Sequence, residues 1–209
     1  MRSVRQYGPS ALVVLAIAAA WTVVEHSRLG RVAAQPAQSA RAQSAVMPRY
    51  DTSGALILPE DYAKWIFVGA GLGIDYNEAP PAPTHEMFSH TLMEPTAYQS
   101  FVQTGTFREG TMFALVLQGK GDKVLPARRG TFANEVHGVE IAVKDHTHAA
   151  EGWSYYGFGG GFGGMGALRK TATAQPKSAC VSCHAEHAAR DHVFLQFYPL
   201  LADAAHIAK

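Results

Sequence analysis

At 209 residues and a formal charge of +1, with 18 Lys and Arg against 17 Asp and Glu, the chain offers no electrostatic footprint for nucleic acid. Its 47% hydrophobic content is that of an ordinary soluble domain. Ten histidines is a high count, but they are scattered along the chain, and there are only two cysteines.

The first eight residues carry Arg2 and Arg5, and Ala11 to Val24 is apolar apart from Thr22. These are the basic and apolar regions of an export signal. The run is short for a spanning helix, which needs about 20 apolar residues. No small-x-small cleavage site follows at once, and Arg28 and Arg31 come soon after, so an uncleaved anchor stays open beside a cleaved signal. Gln35 to Ala45 is Ala, Gln, Ser and Arg with one Pro, the composition of a tether or a late cleavage region. Residues 1–47 are therefore expected to be a signal or anchor plus tether. Residues 48–209 are expected to form one domain, periplasmic, secreted or held on the outer side of the cytoplasmic membrane.

Within that domain, Leu58-Pro59-Glu60-Asp61 predicts a helix start, since Pro suits the first turn and acids suit its positive end. Tyr62, Trp65, Ile66 and Gly69 continue it as a helical stripe, ended by the glycines up to Gly73. Asp75 to Pro83 is a Pro-rich loop. Thr84 to Glu94 predicts a strand, with Met87, Ser89, Thr91 and Met93 on one face and Glu86, Phe88, His90 and Leu92 on the other. Pro95 opens a short helix over Thr96 to Thr104, stopped by Gly105. Thr111 to Gln118 predicts a strand with Phe113, Leu115 and Leu117 opposite Met112, Ala114 and Val116. Further strands are expected over Glu135 to Lys144 and Trp153 to Phe158. The glycine-rich stretch Gly157 to Gly166 lacks the Lys-Ser/Thr of a phosphate loop and reads as a mobile loop or a close backbone approach. Thr171 to Ala179 reads as loop. Helices are expected over Ala185 to Ala189 and His192 to Tyr198, the latter stopped by Pro199. Strands joined by hairpin-length loops predict an α+β fold: a mostly antiparallel sheet with short flanking helices.

Near the C-terminus stands Cys180-Val181-Ser182-Cys183-His184, a C-x-x-C-H sequence and the attachment signature of c-type haem. Two thiols at this spacing can each add to one vinyl group of a single porphyrin, and the following histidine becomes the proximal iron ligand. A dithiol redox pair would want a βαβ context, and none precedes it. A disulfide closing so small a loop gains little chain entropy. Zinc could recruit His187 and His192 to the two thiols, but the spacing is tighter than a finger's and no second ligand pair exists. Export and covalent haem agree, because bacterial attachment takes place outside the cytoplasmic membrane. One covalent haem per chain is the expectation, with His184 as the iron ligand.

The full pattern resembles the cytochrome P-460 family. The matching features are the export signal, Leu-Pro-Glu-Asp, a strand followed by Glu-Pro-Thr-Ala-Tyr, and Thr-Gly-Thr-Phe-Arg-Glu-Gly-Thr leading into an apolar strand. A Gly-Trp strand follows, then Cys-Val-Ser-Cys-His with Asp191-His192-Val193-Phe194 and Phe197-Tyr198-Pro199. The resemblance runs from about Asp51 to the end. It implies a mostly antiparallel β fold, a habit of forming homodimers and a five-coordinate haem. Hydroxylamine-oxidising members carry a strand lysine bonded to the porphyrin, whereas the similar cytochrome c′-β proteins lack it, cap the iron with phenylalanines and bind nitric oxide. No lysine lies in Thr111 to Gln118; Lys120 follows just past it and would need a slip in register to serve as cross-linker. Phe88 and Phe113 are the distal candidates, with ordinary sheet-core packing the alternative for each.

Three functions follow. A phenylalanine-capped iron offers no hydrogen-bond donor and favours nitric oxide or a similar small gaseous ligand. An oxidoreductase acting on hydroxylamine or nitric oxide would need a positioned proton acceptor. A sixth ligand, drawn by type from Met87, Met93, Met112, Met165, His85 and His90, would make an electron carrier with a periplasmic redox partner. His90 shares the Phe88 face and is also a candidate acid-base group, against a plain surface role. His187 follows His184 by three residues on one helix and cannot reach the opposite haem face. His146-Thr147-His148 supplies too few ligands for a metal site.

Overall fold

A computed structural model describes residues 44–74, 86–122, 126, 129–159 and 167–207. The expected export segment and tether up to residue 43, the Pro-rich loop, His85, and residues 160–166 with Met165 lie outside them. Residues 44–209 form one compact unit. The strands are β1 (Leu56–Ile57), β2 (Ile66–Leu72), β3 (Phe88–Met93), β4 (Met112–Asp122), β5 (Thr131–Lys144), β6 (Trp153–Gly157) and β7 (Thr171–Ala172). The helices are α1 (Pro95–Thr104), α2 (Val181–His187) and α3 (Pro199–Ala204). Strands β2 to β6 pair antiparallel in sequence order as a five-stranded meander, and β1 pairs antiparallel with β7 in a separate ribbon. The fold is thus α+β with mostly antiparallel strands, as the loop lengths predict.

Directly paired residues of an antiparallel ladder share a face. One row is Met93, Phe113, Ala142 and Tyr155; the next is Thr91, Leu115, Glu140 and Gly157. On the opposite face, Ala114, Val116, Val139, Ile141 and Tyr156 are buried and packed with Leu56 and Ala172 of the ribbon. We call this the closed face. The first face packs Met93, Phe113, Trp153 and Tyr155 against Phe101 of α1 and against Val181, Val193, Leu195 and Leu201 of the C-terminal segment. We call it the site face.

Three expectations are corrected. The helix over Tyr62 to Gly69 shrinks to a 3-10 turn at Tyr62–Lys64, and Ile66 onward is β2. Gly69 and Gly71 weaken a helix, and as strand residues they permit close packing. A Cβ on Gly69 would stand 2.6 Å from the Tyr198 ring and 3.0 Å from the Phe197 carbonyl oxygen. The helix over His192 to Tyr198 is broken by Asp191 and His192, whose φ values of 42° and 60° are left-handed. Only a 3-10 turn at Leu195–Phe197 remains, and Pro199 opens α3 instead of stopping a helix, its fixed φ suiting the first position. Finally, β4 runs on through Lys120, carried past two irregularities in register by pairing with the long β5.

Helix α1 begins as predicted. Pro95 is its first residue, and the buried Glu94 carboxylate accepts from the backbone N–H groups of Thr96 at 2.9 Å and Ala97 at 2.8 Å. Arg108 donates to the same carboxylate at 3.2 Å, so this buried charge is paired. Gly105, at φ 68°, closes the helix.

Candidate functional site

The haem motif is itself helical. Cys180 is the N-cap of α2, and Cys183 and His184 lie within it, so the helix starts about one turn earlier than the Ala185 start expected. The two cysteines are free thiols, so the disulfide reading fails. Among the described residues no group of three or more His, Cys, Asp or Glu is assembled to hold a metal ion, so zinc lacks its ligand set. Burial pushes the Cys180 thiol up, reinforced by the neighbouring Glu140 and Cys183.

His184 is held on three sides. Its Nδ1 lies 2.7 Å from the backbone carbonyl oxygen of His192. A carbonyl only accepts, so Nδ1 carries the proton and Nε2 keeps its lone pair free for a metal. The ring stands 4.4 Å from the rings of both Tyr155 and Phe194. Burial holds its basicity below the ordinary histidine range, only partly countered by the His192 carbonyl. A neutral imidazole in this tautomer is the form that ligates haem iron.

Beside Cys180 lies a cavity of about 240 Å³, walled by Leu117, Gly138, Glu140, Tyr155, Gly157, Arg169 and Gln175. Gly138 is part of that wall on the site face: a Cβ there would make only ordinary contacts, with the Gly159 Cα at 3.8 Å and Leu117 at 3.9 Å, so the cavity is not filled from this position. At Gly159 the chain closes tightly, since a Cβ would stand 2.6 Å from the Gly138 Cα. The residues fit a covalent haem. Cys180 and Cys183 would hold its vinyl carbons and His184 Nε2 its iron, and the apolar and glycine wall would leave room for a flat ring. Arg169, which donates to the Gly157 carbonyl at 2.7 Å, and Gln175 are the polar groups available to its carboxylates.

Glu140 is the residue that the chain-order reading missed. It is half-buried on the site face, and burial raises its carboxyl above the ordinary range. A signal existed. Val139, Ile141 and Val143 mark one face of β5 as core, which leaves Gly138, Glu140 and Ala142 on the other, two small residues around one carboxylate.

The phenylalanines part company. Phe113 lies on the site face, buried among Phe107, Trp153 and Tyr198 with ring separations of 5.7 to 6.3 Å. Phe88 pairs with Gln118 and shares its face with His90 and Leu92, the face turned from the Cys180 cavity. The two therefore cannot cap one ligand together, because an odd number of residues separates them across the ladder. His90 lies between Phe67 and Phe88, each 6.2 Å away, with its Nδ1 buried and no partner among the described residues. Met112 is buried on the closed face, and Met93 is fully buried in the core of the site face. Lys120 forms an ion pair with Glu86.

No curated protein matches the chain. The profile of the family described as Cytochrome P460 matches residues 59–195, a span that contains the whole five-stranded sheet, the cavity wall, both cysteines and His184. The chain therefore belongs to the cytochrome P460 family and is a mono-haem c-type cytochrome.

Proposed function

We propose that this cytochrome is exported and carries one covalent haem per chain, five-coordinate on His184. It takes hydroxylamine, whose N–H and O–H protons leave as it is oxidised, and passes the electrons to a redox partner outside the cytoplasmic membrane. Glu140 carries this reading: a carboxyl with raised proton affinity in the wall of the cavity next to Cys180. Bound haem supplies an open iron position and one-electron redox chemistry. His184 orients that position through its fixed tautomer. Leu117 and the glycines exclude water from the wall, and Arg169 stands at its polar end. A ligand bearing N–H or O–H loses a proton with each electron withdrawn, and a Glu140 carboxylate oxygen accepts it. A carboxylate whose proton affinity burial has raised is a better proton acceptor than an ordinary one.

A second reading has its own support. Lys120, the lysine of β4, is engaged with Glu86 and not offered to a porphyrin, which favours a nitric oxide binder without turnover. Hydroxylamine-dependent reduction of an artificial electron acceptor separates the two. Turnover that falls about 100-fold or more in Glu140→Gln, with the pH dependence of the rate lost, supports oxidation. Turnover indifferent to that substitution, or absent in the wild type while nitric oxide binds, overturns it. The family habit of pairing extends the proposal to a homodimer.

A further inference from the structure

The proximal side contains a device that the haem motif alone does not explain. Arg190 and Val193 close a tight turn, with Val193 N–H donating to the Arg190 carbonyl at 2.7 Å and Arg190 N–H returning to Val193 at 3.3 Å. Its central residues, Asp191 and His192, both have positive φ, a conformation that usually calls for Asn-Gly or Asp-Gly. No glycine relieves it, so side chains hold it. The Asp191 carboxylate accepts from Trp153 Nε1 at 3.1 Å through one oxygen and from Lys144 Nζ at 2.5 Å through the other. Trp153 and Lys144 are paired on adjacent strands of the rigid sheet. The turn thereby aims the His192 carbonyl at His184 Nδ1, 2.7 Å away. Tyr155 Oη donates to that same carbonyl at 3.3 Å.

We propose that Asp191 is a positioning residue for the proximal ligand. It ties the left-handed turn to β5 and β6, so that the His192 carbonyl polarises His184 Nδ1–H and sets how strongly the imidazole donates to iron. Polarisation of that N–H raises ligand basicity and favours the ferric state. Tyr155 opposes it by occupying the same acceptor. The two residues thus act with opposite sign on one bond, and neither touches the iron. This stands on the haem assignment and is independent of Glu140.

The test uses the full haem-loaded chain and reads the reduction potential and the iron–histidine stretching frequency of the ferrous form. Asp191→Ala is expected to raise the potential and lower the frequency while covalent haem is retained. Asp191→Asn keeps an acceptor and tolerates positive φ, and it should recover most of both values. His192→Gly retains the carbonyl and suits the turn, and should leave both near the wild type. Tyr155→Phe should move both readouts the opposite way to Asp191→Ala. If Asp191→Ala does not fold, Trp153→Phe carries the test with the same signs. A role confined to folding moves the melting temperature and neither readout. Wild-type potential and frequency in a folded Asp191→Ala, or in Trp153→Phe where that substitutes for it, would overturn the proposal, as would a Tyr155→Phe shift of the same sign.

Discussion

The two faces of the five-stranded sheet are built from the same strands yet finished differently. Under the β1–β7 ribbon the closed face is uniform: Ala114, Val116, Val139 and Ile141 are all buried there. On the site face, packing is complete around Phe113 and Trp153 but gives way toward the cavity. There Leu115 and Leu117 are half-exposed, glycines replace side chains, and Glu140 stands among them. A carboxyl and an unfilled wall in an otherwise well-packed sheet both act against stability. Such departures concentrate where function requires them. The difference teaches that one ladder can place structural and chemical demands on alternate residues with little interference.

The largest test removes what fills the site face. Cys180→Ala with Cys183→Ala should leave the purified protein at bare polypeptide mass with no covalent haem, because no other cysteine exists. Covalent haem surviving in mass spectrometry would break the assignment of that face. Glu140→Gln comes next, and its two effects point in opposite directions. Turnover should fall about 100-fold or more. Stability should not fall: burial raises the Glu140 pKa, so the fold favours the protonated form, and the charged carboxylate opposes folding increasingly as pH rises through the raised value. Denaturant midpoints above neutrality should therefore be equal or higher in the variant. A marked loss of stability there would mean that Glu140 is a structural anchor.

On the closed face the pattern reverses. Ile141→Ala should cost about 2–5 kcal/mol by leaving a cavity in a fully buried site, with the haem spectrum and ligand kinetics unchanged. A changed spectrum would show that the faces are not independent. Gly69→Ala probes the seam where β2 meets the C-terminal segment. Its methyl must displace the Tyr198 ring, which stacks on Phe113, and the Phe197 backbone, so a loss of about 1–3 kcal/mol is expected in urea unfolding.

Much of this was legible in the sequence, for physical reasons. C-x-x-C-H states its own chemistry, and the alternation in β3, β4 and β5 is strong because one face of each is core. Pro95 and Gly105 bracket α1 because they can do little else. What could not be read depended on distant partners. Trp65 and Ile66 look helical until Gly69 and Gly71 are seen to make room for Tyr198 and Ile74. Phe88 and Phe113 look alike until register assigns them opposite faces. The turn at Asp191 and His192 has no local signature at all, since its stability comes from Lys144 and Trp153, more than thirty residues away.

The smallest expected effect lies at the rim of the closed face and is visible only by changing pH. Burial pushes the Asp145 carboxyl up, but hydrogen bonds from the Thr147 hydroxyl and backbone N–H and from His148 outweigh it, and the net pKa is depressed. Tyr50, whose ring stacks 4.0 Å from His148, donates to the same carboxylate at 3.2 Å. A carboxyl depressed in the fold contributes stability that is present above its unfolded value, about 4, and is lost as pH falls through the folded value. Asp145→Asn should therefore be less stable than wild type at pH 7, and the gap should close on acidification through the range below about pH 4. Urea midpoints at several pH values measure this directly. A gap that stays constant would mean that Asp145 acts through shape alone, while a shift in the haem spectrum would tie this rim to the site face, from which the sheet separates it.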